Sequence, residues 1–256
     1  MILITGGSAG IGKATALRFA KAGACVVIAA RGSDRGEGAL QEIKAIGANA
    51  LFIQTDVSQA EQVQALLAGT VERFGRLDCA FNNAAVLIRS ARTGDYDEAD
   101  FDAEVANLRS VWLCMKYELE QMRKQQPSGG AIVNASSING LGGVPNAALY
   151  AMSKAGVLAL TKSAAQEYAA DGIRVNALVA GGFDTEMLRN AVSERVGGDP
   201  VKVQEAFRGY AAQVPAGRIG KPEEAAEAVF WLCSDAASYV TGQSMIVDGG
   251  LTAWAR

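Results

Sequence analysis

Short apolar runs alternate with longer helical patterns along almost the whole chain, and this alternation constrains the fold most strongly. The runs lack polar alternation, which is typical of strands buried on both faces of a sheet. They cover 2–5, 25–30, 50–54, 78–81, 131–135, 173–178 and 244–247, and the helical patterns cover 11–22, 34–46, 59–74, 98–125, 148–170 and 222–234. We therefore expect an α/β fold, a Rossmann-type doubly wound parallel sheet of about seven strands with helices on both faces.

No linker or low-complexity stretch divides the chain, so residues 1–256 are predicted to form a single domain. One segment, 181–215, breaks the rhythm with paired glycines, two prolines and a short amphipathic pattern. A long insertion after a strand often forms a binding loop, so we expect a substrate lid at about 181–215. A surface helix without function is the alternative for this segment.

Composition excludes several classes of protein. Half of the residues are apolar, the formal net charge is −3 and there is no histidine. The chain has no excess of basic residues, which argues against nucleic-acid binding. Without histidine it cannot form a Ser-His-Asp triad or a histidine-containing zinc site, so no metal site is expected. No run is long enough to span a membrane, and the first strand leads directly into a glycine loop rather than a signal peptide. Four scattered cysteines fit reduced thiols and a cytoplasmic protein.

A glycine loop follows the first predicted strand. Gly6, Gly10 and Gly12 lie between that strand and a helix, in the order GxxxGxG. Such a unit presents free backbone N–H groups and the positive end of a helix, which suits the pyrophosphate of a dinucleotide. Gly6 would permit the turn, Gly10 the approach of the phosphate, and Gly12 the contact between helix and strand.

Arg31 ends the second predicted strand, where the adenosine ribose is usually recognised. An acidic residue there would bind the 2′-hydroxyl of NAD, whereas an arginine pairs with the 2′-phosphate of NADP. We therefore expect NAD(P) as cofactor, with NADP favoured over NAD. An ordinary exposed arginine is the alternative.

A tyrosine and a lysine share one face of the helix predicted at 148–170. Tyr150 and Lys154 are four residues apart, and a nearby ammonium lowers the pKa of a phenol. Such a phenol suits proton transfer between an alcohol and a carbonyl. The strand at 131–135 ends in Ser136 and Ser137, and ligands of open α/β sheets bind at the carboxyl ends of strands. The alternative is that these serines make only local backbone hydrogen bonds.

In order and spacing, several motifs together resemble those of the short-chain dehydrogenase/reductase family over nearly the whole chain. They comprise the TGxxxGIG loop at 5–12 with Ser8 and Ile11, the pair Asp56 and Val57, the NNAA turn at 82–85, the helix residue Asn107, the set Ser137, Tyr150 and Lys154, and the stretches 218–224 and 239–250. The chain departs from the usual family residues at Ala9, Ala85 and Ala180.

The resemblance implies a role for each matching residue. Tyr150 is the general acid or base, Lys154 lowers its pKa and holds the nicotinamide ribose, and Ser137 orients the substrate oxygen. Asn107 anchors a water that continues a proton relay through Lys154. The cofactor is implied to contact a wider set: Gly6, Ser8, Gly10, Ile11, Gly12, Arg31, Asp56, Val57, Asn83, Ala84, Tyr150, Lys154, Phe183 and Thr185.

The predicted function is therefore an NAD(P)-dependent oxidoreductase that moves a hydride between the nicotinamide and a small or medium carbonyl or secondary alcohol. The resemblance also implies a homotetramer, or a homodimer. A non-enzymatic NAD(P) sensor on the same fold is the second hypothesis. Such a sensor would be expected to lack part of the set Asn107, Ser137, Tyr150 and Lys154, and all four are present.

Overall fold

The computed structural model describes residues 1–253 and contains one seven-stranded sheet in which every pair of neighbouring strands is parallel. The order across the sheet is β3-β2-β1-β4-β5-β6-β7. The strands are β1 (Ile2–Thr5), β2 (Val26–Ala30), β3 (Ala50–Gln54), β4 (Cys79–Asn82), β5 (Gly130–Ser137), β6 (Ile173–Ala180) and β7 (Ser244–Val247). The predicted doubly wound sheet is confirmed.

Eight α-helices occur within residues 1–253. They are α1 (Gly10–Lys21), α2 (Ser33–Ala45), α3 (Ala60–Phe74), α4 (Glu98–Lys124), α5 (Ala148–Tyr168), α6 (Glu186–Arg195), α7 (Pro200–Gln213) and α8 (Pro222–Cys233). None of the helices described is long and apolar enough to cross a membrane.

The core lies in two layers, one on each face of the sheet. Ile2 and Ile4 of β1 pack with apolar residues of α1, α2 and α8, whereas Leu3 packs with apolar residues of α3, α4 and α5. Successive side chains of a strand point to opposite faces, so a strand covered on both sides needs an unbroken apolar run. This requirement explains why the runs identified the strands.

The carboxyl ends of the strands meet at one edge of the sheet, called here the carboxyl edge. β5 and β6 extend further towards this edge than predicted, since the ladder continues to the pair Ser137 and Ala180. The pairing places Ser137 at the end of a regular strand. The segment that follows β6 forms α6 and α7, and neither helix contains a buried residue.

Candidate active site

The glycine loop has the geometry expected of a phosphate cradle. Gly6 and Gly10 have φ values of 66° and 51°, which favour glycine. A Cβ on Gly12 would lie 2.3 Å from the Gly6 carbonyl oxygen, so helix α1 approaches β1 as predicted. The first turn of α1 carries no acidic residue, and no side chain caps it. Its N–H groups therefore suit an anion, and the loop fits the pyrophosphate of a dinucleotide.

Strands β1 and β4 are joined at the carboxyl edge through Thr5. The backbone N–H groups of Asn83 and Ala84 donate to Thr5 Oγ1 at 3.0 and 3.2 Å. The Asn83 side-chain amide donates to the carbonyl oxygens of Thr5 and Gly6 at 3.2 and 3.3 Å. These bonds fix Asn83 and Ala84 beside the glycine loop, where the sequence predicts contact with the adenosine ribose.

Arg31 and Asp56 lie together at the carboxyl ends of β2 and β3. The pKa of Asp56 is lowered mainly by a hydrogen bond from the backbone N–H of Ser58, and the charge of Arg31 acts in the same direction. Arg31 is exposed, and its backbone carbonyl accepts a hydrogen bond of 2.8 Å from the Gln54 side chain. Val57 follows Asp56 and is half-buried. The residues predicted to contact the adenosine therefore share one end of the site.

Ser137 lies close enough to Tyr150 to affect its phenol. The Ser137 hydroxyl lowers the pKa of the phenol, and Ser137 Oγ accepts a bond of 3.2 Å from the backbone N–H of Asn139. Tyr150 lies in the first turn of α5 and is half-buried. The structure thus joins two of the predicted catalytic residues at the carboxyl edge.

The pKa of Tyr150 corrects one expectation. The spacing predicts that the Lys154 ammonium lowers it, but the pKa is raised, because burial of the phenol and the negative charge of Glu104 outweigh the effect of Ser137. Lys154 Nζ lies 5.7 Å from the centre of the Tyr150 ring rather than at the phenol oxygen. The protein groups alone therefore hold Tyr150 as a neutral phenol.

Lys154 is buried against β5. Its ammonium donates to the Ala135 carbonyl oxygen at 3.1 Å, and the Ser136 hydroxyl donates to the Lys154 carbonyl oxygen at 2.9 Å. Burial lowers the pKa of Lys154 to about 8, while the charge of Glu104 opposes this effect. A lysine with this pKa changes charge close to neutral pH, so it is suited to a proton relay.

Glu104 is a site residue that the sequence did not reveal. It lies fully buried in α4, where one carboxylate oxygen accepts a hydrogen bond from Ser153 of α5. Its other oxygen is buried and has no partner among residues 1–253. Glu104 raises the pKa of both Tyr150 and Lys154. In sequence it resembles any acidic residue of a solvated helix face, so no pattern marks it.

Asn107 is placed in the same region, but its side chain is committed to the loop after β4. Asn107 Oδ1 accepts from the Val86 N–H at 3.0 Å, and its amide nitrogen donates to the Val86 carbonyl at 2.8 Å. Asn107 therefore fixes the loop that follows the NNAA turn. Its predicted part in a water relay stays a prediction.

Phe183 and Thr185 form the root of the segment predicted as a lid. Phe183 is buried and pairs with Gly220 across an isolated bridge, with Asp184 N–H donating to the Gly220 carbonyl at 2.8 Å. Thr185 caps α6 by accepting from the Leu188 N–H at 3.2 Å. A Cβ on Gly10 would lie 3.2 Å from Thr185 Cγ2, so the lid root contacts the glycine loop.

Tyr210 of α7 is a second residue that the sequence did not single out. A Cβ on Gly182 would lie 2.3 Å from the Tyr210 ring, so the ring packs directly on the Gly182 backbone. The phenol of Tyr210 is half-buried, and this partial burial raises its pKa. The absence of a side chain at position 182 therefore lets α7 dock on the end of β6.

A buried polar chain lies behind the site, between the sheet and α4. The Asn82 amide donates to Glu118 Oε2 at 2.8 Å and to Asn134 Oδ1 at 3.0 Å, and the Asn134 amide donates to Thr161 at 3.0 Å. Glu118 Oε1 has no partner among the residues described. Burial raises the pKa of Glu118 to about 7 despite the bond from Asn82.

Comparison with known proteins decides the family. A sequence profile described as enoyl-(acyl carrier protein) reductase matches residues 6–252. The A-factor type gamma-butyrolactone 1′-reductase (1S-forming) of Streptomyces virginiae is 41% identical over 251 residues, 98% of this chain and 94% of that protein. The chain belongs to the short-chain dehydrogenase/reductase family. The family resemblance predicted from the motifs is therefore confirmed.

Solved structures agree with this assignment to the short-chain dehydrogenases/reductases. A crystal structure of levodione reductase superimposes with a TM-score of 0.94 at 37% identity, covering 99% of this chain and 98% of that one. A crystal structure of a variant of actinorhodin polyketide ketoreductase with NADPH gives a TM-score of 0.92 at 35% identity, covering 99% and 97%. The chain is an NAD(P)-dependent oxidoreductase of this family, and the non-enzymatic sensor is disfavoured.

Proposed function

We propose that the chain transfers a hydride between NAD(P) and a carbonyl or secondary alcohol, with Tyr150 as the proton-transfer residue. The observation that carries this proposal is that Ser137, Tyr150 and the buried Lys154 lie together at the carboxyl edge that also holds the glycine loop. Open α/β sheets bind their ligands at this edge. The segment 181–215 is proposed to close over the substrate there.

The cradle at the start of α1 fits the cofactor, because a helix end without acidic residues would receive the pyrophosphate. Gly6, Ser8, Gly10, Ile11 and Gly12 would line it. The nicotinamide supplies or accepts the hydride when it is bound. Asp56, Val57, Asn83 and Ala84 would hold the adenosine half, and Phe183 and Thr185 the nicotinamide half.

Residues of the chain position the substrate and supply the proton. Ser137 Oγ orients the substrate oxygen towards the Tyr150 hydroxyl, and Tyr150 gives its proton to the forming alkoxide during reduction. The raised pKa of Tyr150 keeps the phenol protonated for this step. Lys154, with a pKa of about 8, holds the ribose hydroxyls and stabilises the phenolate that results.

Replacing Tyr150 with Phe tests this mechanism. The Tyr150→Phe variant retains the ring but lacks the proton, so turnover should fall by roughly 10²- to 10⁴-fold. Turnover is followed at 340 nm with a panel of alcohols and ketones, and cofactor affinity by NADPH fluorescence. Affinity should change little. The matched control is Tyr168→Phe, at the other end of α5, which should leave turnover unchanged. Equal activity in wild type and Tyr150→Phe would reject the assignment.

NADP is proposed as the preferred cofactor because Arg31 is exposed at the end of β2, next to the uncapped start of α2. Arg35 in the first turn adds a positive charge, although it pairs with Glu186 at 2.9 Å and Asp34 opposes it. Charge-assisted bonds contribute about 1.5 to 3 kcal/mol, so Arg31→Ala should weaken NADP roughly 10- to 100-fold relative to NAD. Lys21→Ala is the control. An equal effect of Arg31→Ala on both cofactors would refute the preference.

A homotetramer or homodimer is proposed from the apolar side chains exposed on α4 and α5. Phe101, Val105 and Trp112 of α4 and Met152 of α5 are exposed by 45, 37, 43 and 38%. Exposed apolar patches on paired helices often mark interfaces with a second copy. Sedimentation analysis of the purified protein should give a multiple of the 26.6 kDa subunit mass, and a single-subunit mass would contradict the proposal.

A further inference from the structure

Two of the four cysteines meet at the edge of the sheet opposite to the active site. Cys79 is the first residue of β4 and Cys233 the last of α8, 154 residues later. The Cys79 thiol donates to the Cys233 carbonyl oxygen at 3.7 Å, so the Cys79 sulfur lies against Cys233. Neither the hydride transfer nor the cofactor site uses this pair.

The two thiols differ in character. The neighbouring Cys233 thiol lowers the pKa of Cys79, burial opposes this effect, and the charge of Arg174 adds to it. The Cys79 thiol, together with burial, raises the pKa of Cys233 well above its ordinary value. Thiolate is the form that attacks an oxidant, so Cys79 is the nucleophile of the pair and Cys233 its neighbour.

Position and access also favour reaction between the two cysteines. Both are half-buried, whereas Cys114 is buried. Arg174 donates to the carbonyl oxygens of Leu232 and Ser234 at 2.7 and 3.2 Å, which holds the residues on either side of Cys233. The end of α8 is therefore fixed against the start of β4, which keeps Cys233 beside the Cys79 sulfur.

We propose that Cys79 and Cys233 form a redox-active dithiol that a peroxide closes into a disulfide. The Cys79 thiolate attacks one peroxide oxygen, the O–O bond breaks, and the leaving hydroxide takes a proton to become water. The Cys233 sulfur then attacks the sulfur of the Cys79 sulfenic acid. The S–O bond breaks, and the hydroxyl leaves with the Cys233 proton as a second water. The two thiols lose two electrons in total, and the peroxide gains them.

Mass spectrometry of the full chain tests the proposal. Stoichiometric hydrogen peroxide should lower the intact mass by about 2 Da, and tryptic digestion without reductant should give one cross-linked pair containing Cys79 and Cys233. Closing so large a ring should raise the melting temperature by roughly 5–10 °C, reversibly with dithiothreitol. Turnover should be unchanged, because the pair lies away from Tyr150.

Variants separate the roles of the two sulfurs. Cys233→Ser should stop the reaction at a Cys79 sulfenic acid, which dimedone labels, and Cys79→Ser should abolish both products. Cys25→Ser is the matched control, since Cys25 is also half-buried and precedes β2 at the same edge. It should leave the cross-link intact. Added oxygen atoms on wild-type Cys79 without a cross-link, or a cross-link to Cys25, would overturn the proposal.

Discussion

Replacing Glu118 with Gln should make the protein more stable at alkaline pH relative to wild type. Burial raises the pKa of Glu118 from 4.5 to about 7 in the folded protein. The unfolded chain therefore binds fewer protons than the folded chain between these values, so the free energy of unfolding falls as pH rises through this window. Since each pKa unit corresponds to about 1.4 kcal/mol, the difference between the folded and unfolded pKa values lowers the free energy of unfolding by roughly 3 kcal/mol at alkaline pH.

Glutamine keeps the acceptor for the Asn82 amide but has no proton to lose. The advantage of Glu118→Gln over wild type should therefore grow by about 2 to 3 kcal/mol between pH 5 and pH 8.5. Any constant cost of packing the new amide cancels in this comparison. Urea unfolding followed by tryptophan fluorescence, at one fixed protein concentration, measures the free energies.

The control is Glu120→Gln on the exposed side of the same helix. The pKa of Glu120 is lowered by its hydrogen bond with Lys124 and by the charge of that lysine. Glu120→Gln should therefore not become more stable than wild type as the pH rises. If the stability curves of Glu118→Gln and wild type run parallel within about 0.5 kcal/mol, the buried carboxyl does not titrate as inferred.

Two further predictions concern the active site. Glu104 raises the pKa of both Tyr150 and Lys154, so Glu104→Gln should displace the pH profile of turnover to lower pH. The control Glu104→Asp, which keeps the charge, should move the profile less. An unmoved profile in Glu104→Gln would refute the coupling. Gly12→Ala would place a Cβ 2.3 Å from the rigid Gly6 carbonyl, so NADPH affinity measured by fluorescence should fall by more than about 10-fold. Gly38→Ala, whose Cβ meets nothing within 4 Å, should retain wild-type affinity, and equal affinity in Gly12→Ala would contradict the cradle.

The sheet was predictable from sequence because burial on both faces leaves a direct trace in each strand. A run such as 26–30 must be apolar throughout when helices cover both sides. The glycine loop was predictable for a similar reason, since Gly12 lies where any side chain would strike the backbone. Ser137, Tyr150 and Lys154 were found by their motif, and the fold brings them together.

The features that could not be predicted from the sequence depend on how the helices pack against each other and against the sheet. Glu104 and Glu118 resemble solvated residues until α4 packs against α5 and the sheet, which buries both. The direction of the Tyr150 pKa was wrong because a spacing of four residues specifies a shared helix face but neither the depth of burial nor the position of the ammonium. Pairwise spacing carries no information on desolvation.

The bridge between Phe183 and Gly220 has a consequence for engineering. The Gly220 N–H donates to the Gly182 carbonyl at 2.9 Å, and the Asp184 N–H donates to the Gly220 carbonyl. These bonds join the two ends of the segment that carries α6 and α7 next to the end of β6. Helices α6 and α7 lie between these joined ends, and neither helix contains a buried residue. A foreign helical hairpin grafted between residues 185 and 214 should therefore leave the seven strands intact, provided that it keeps a ring packed on Gly182 as Tyr210 is.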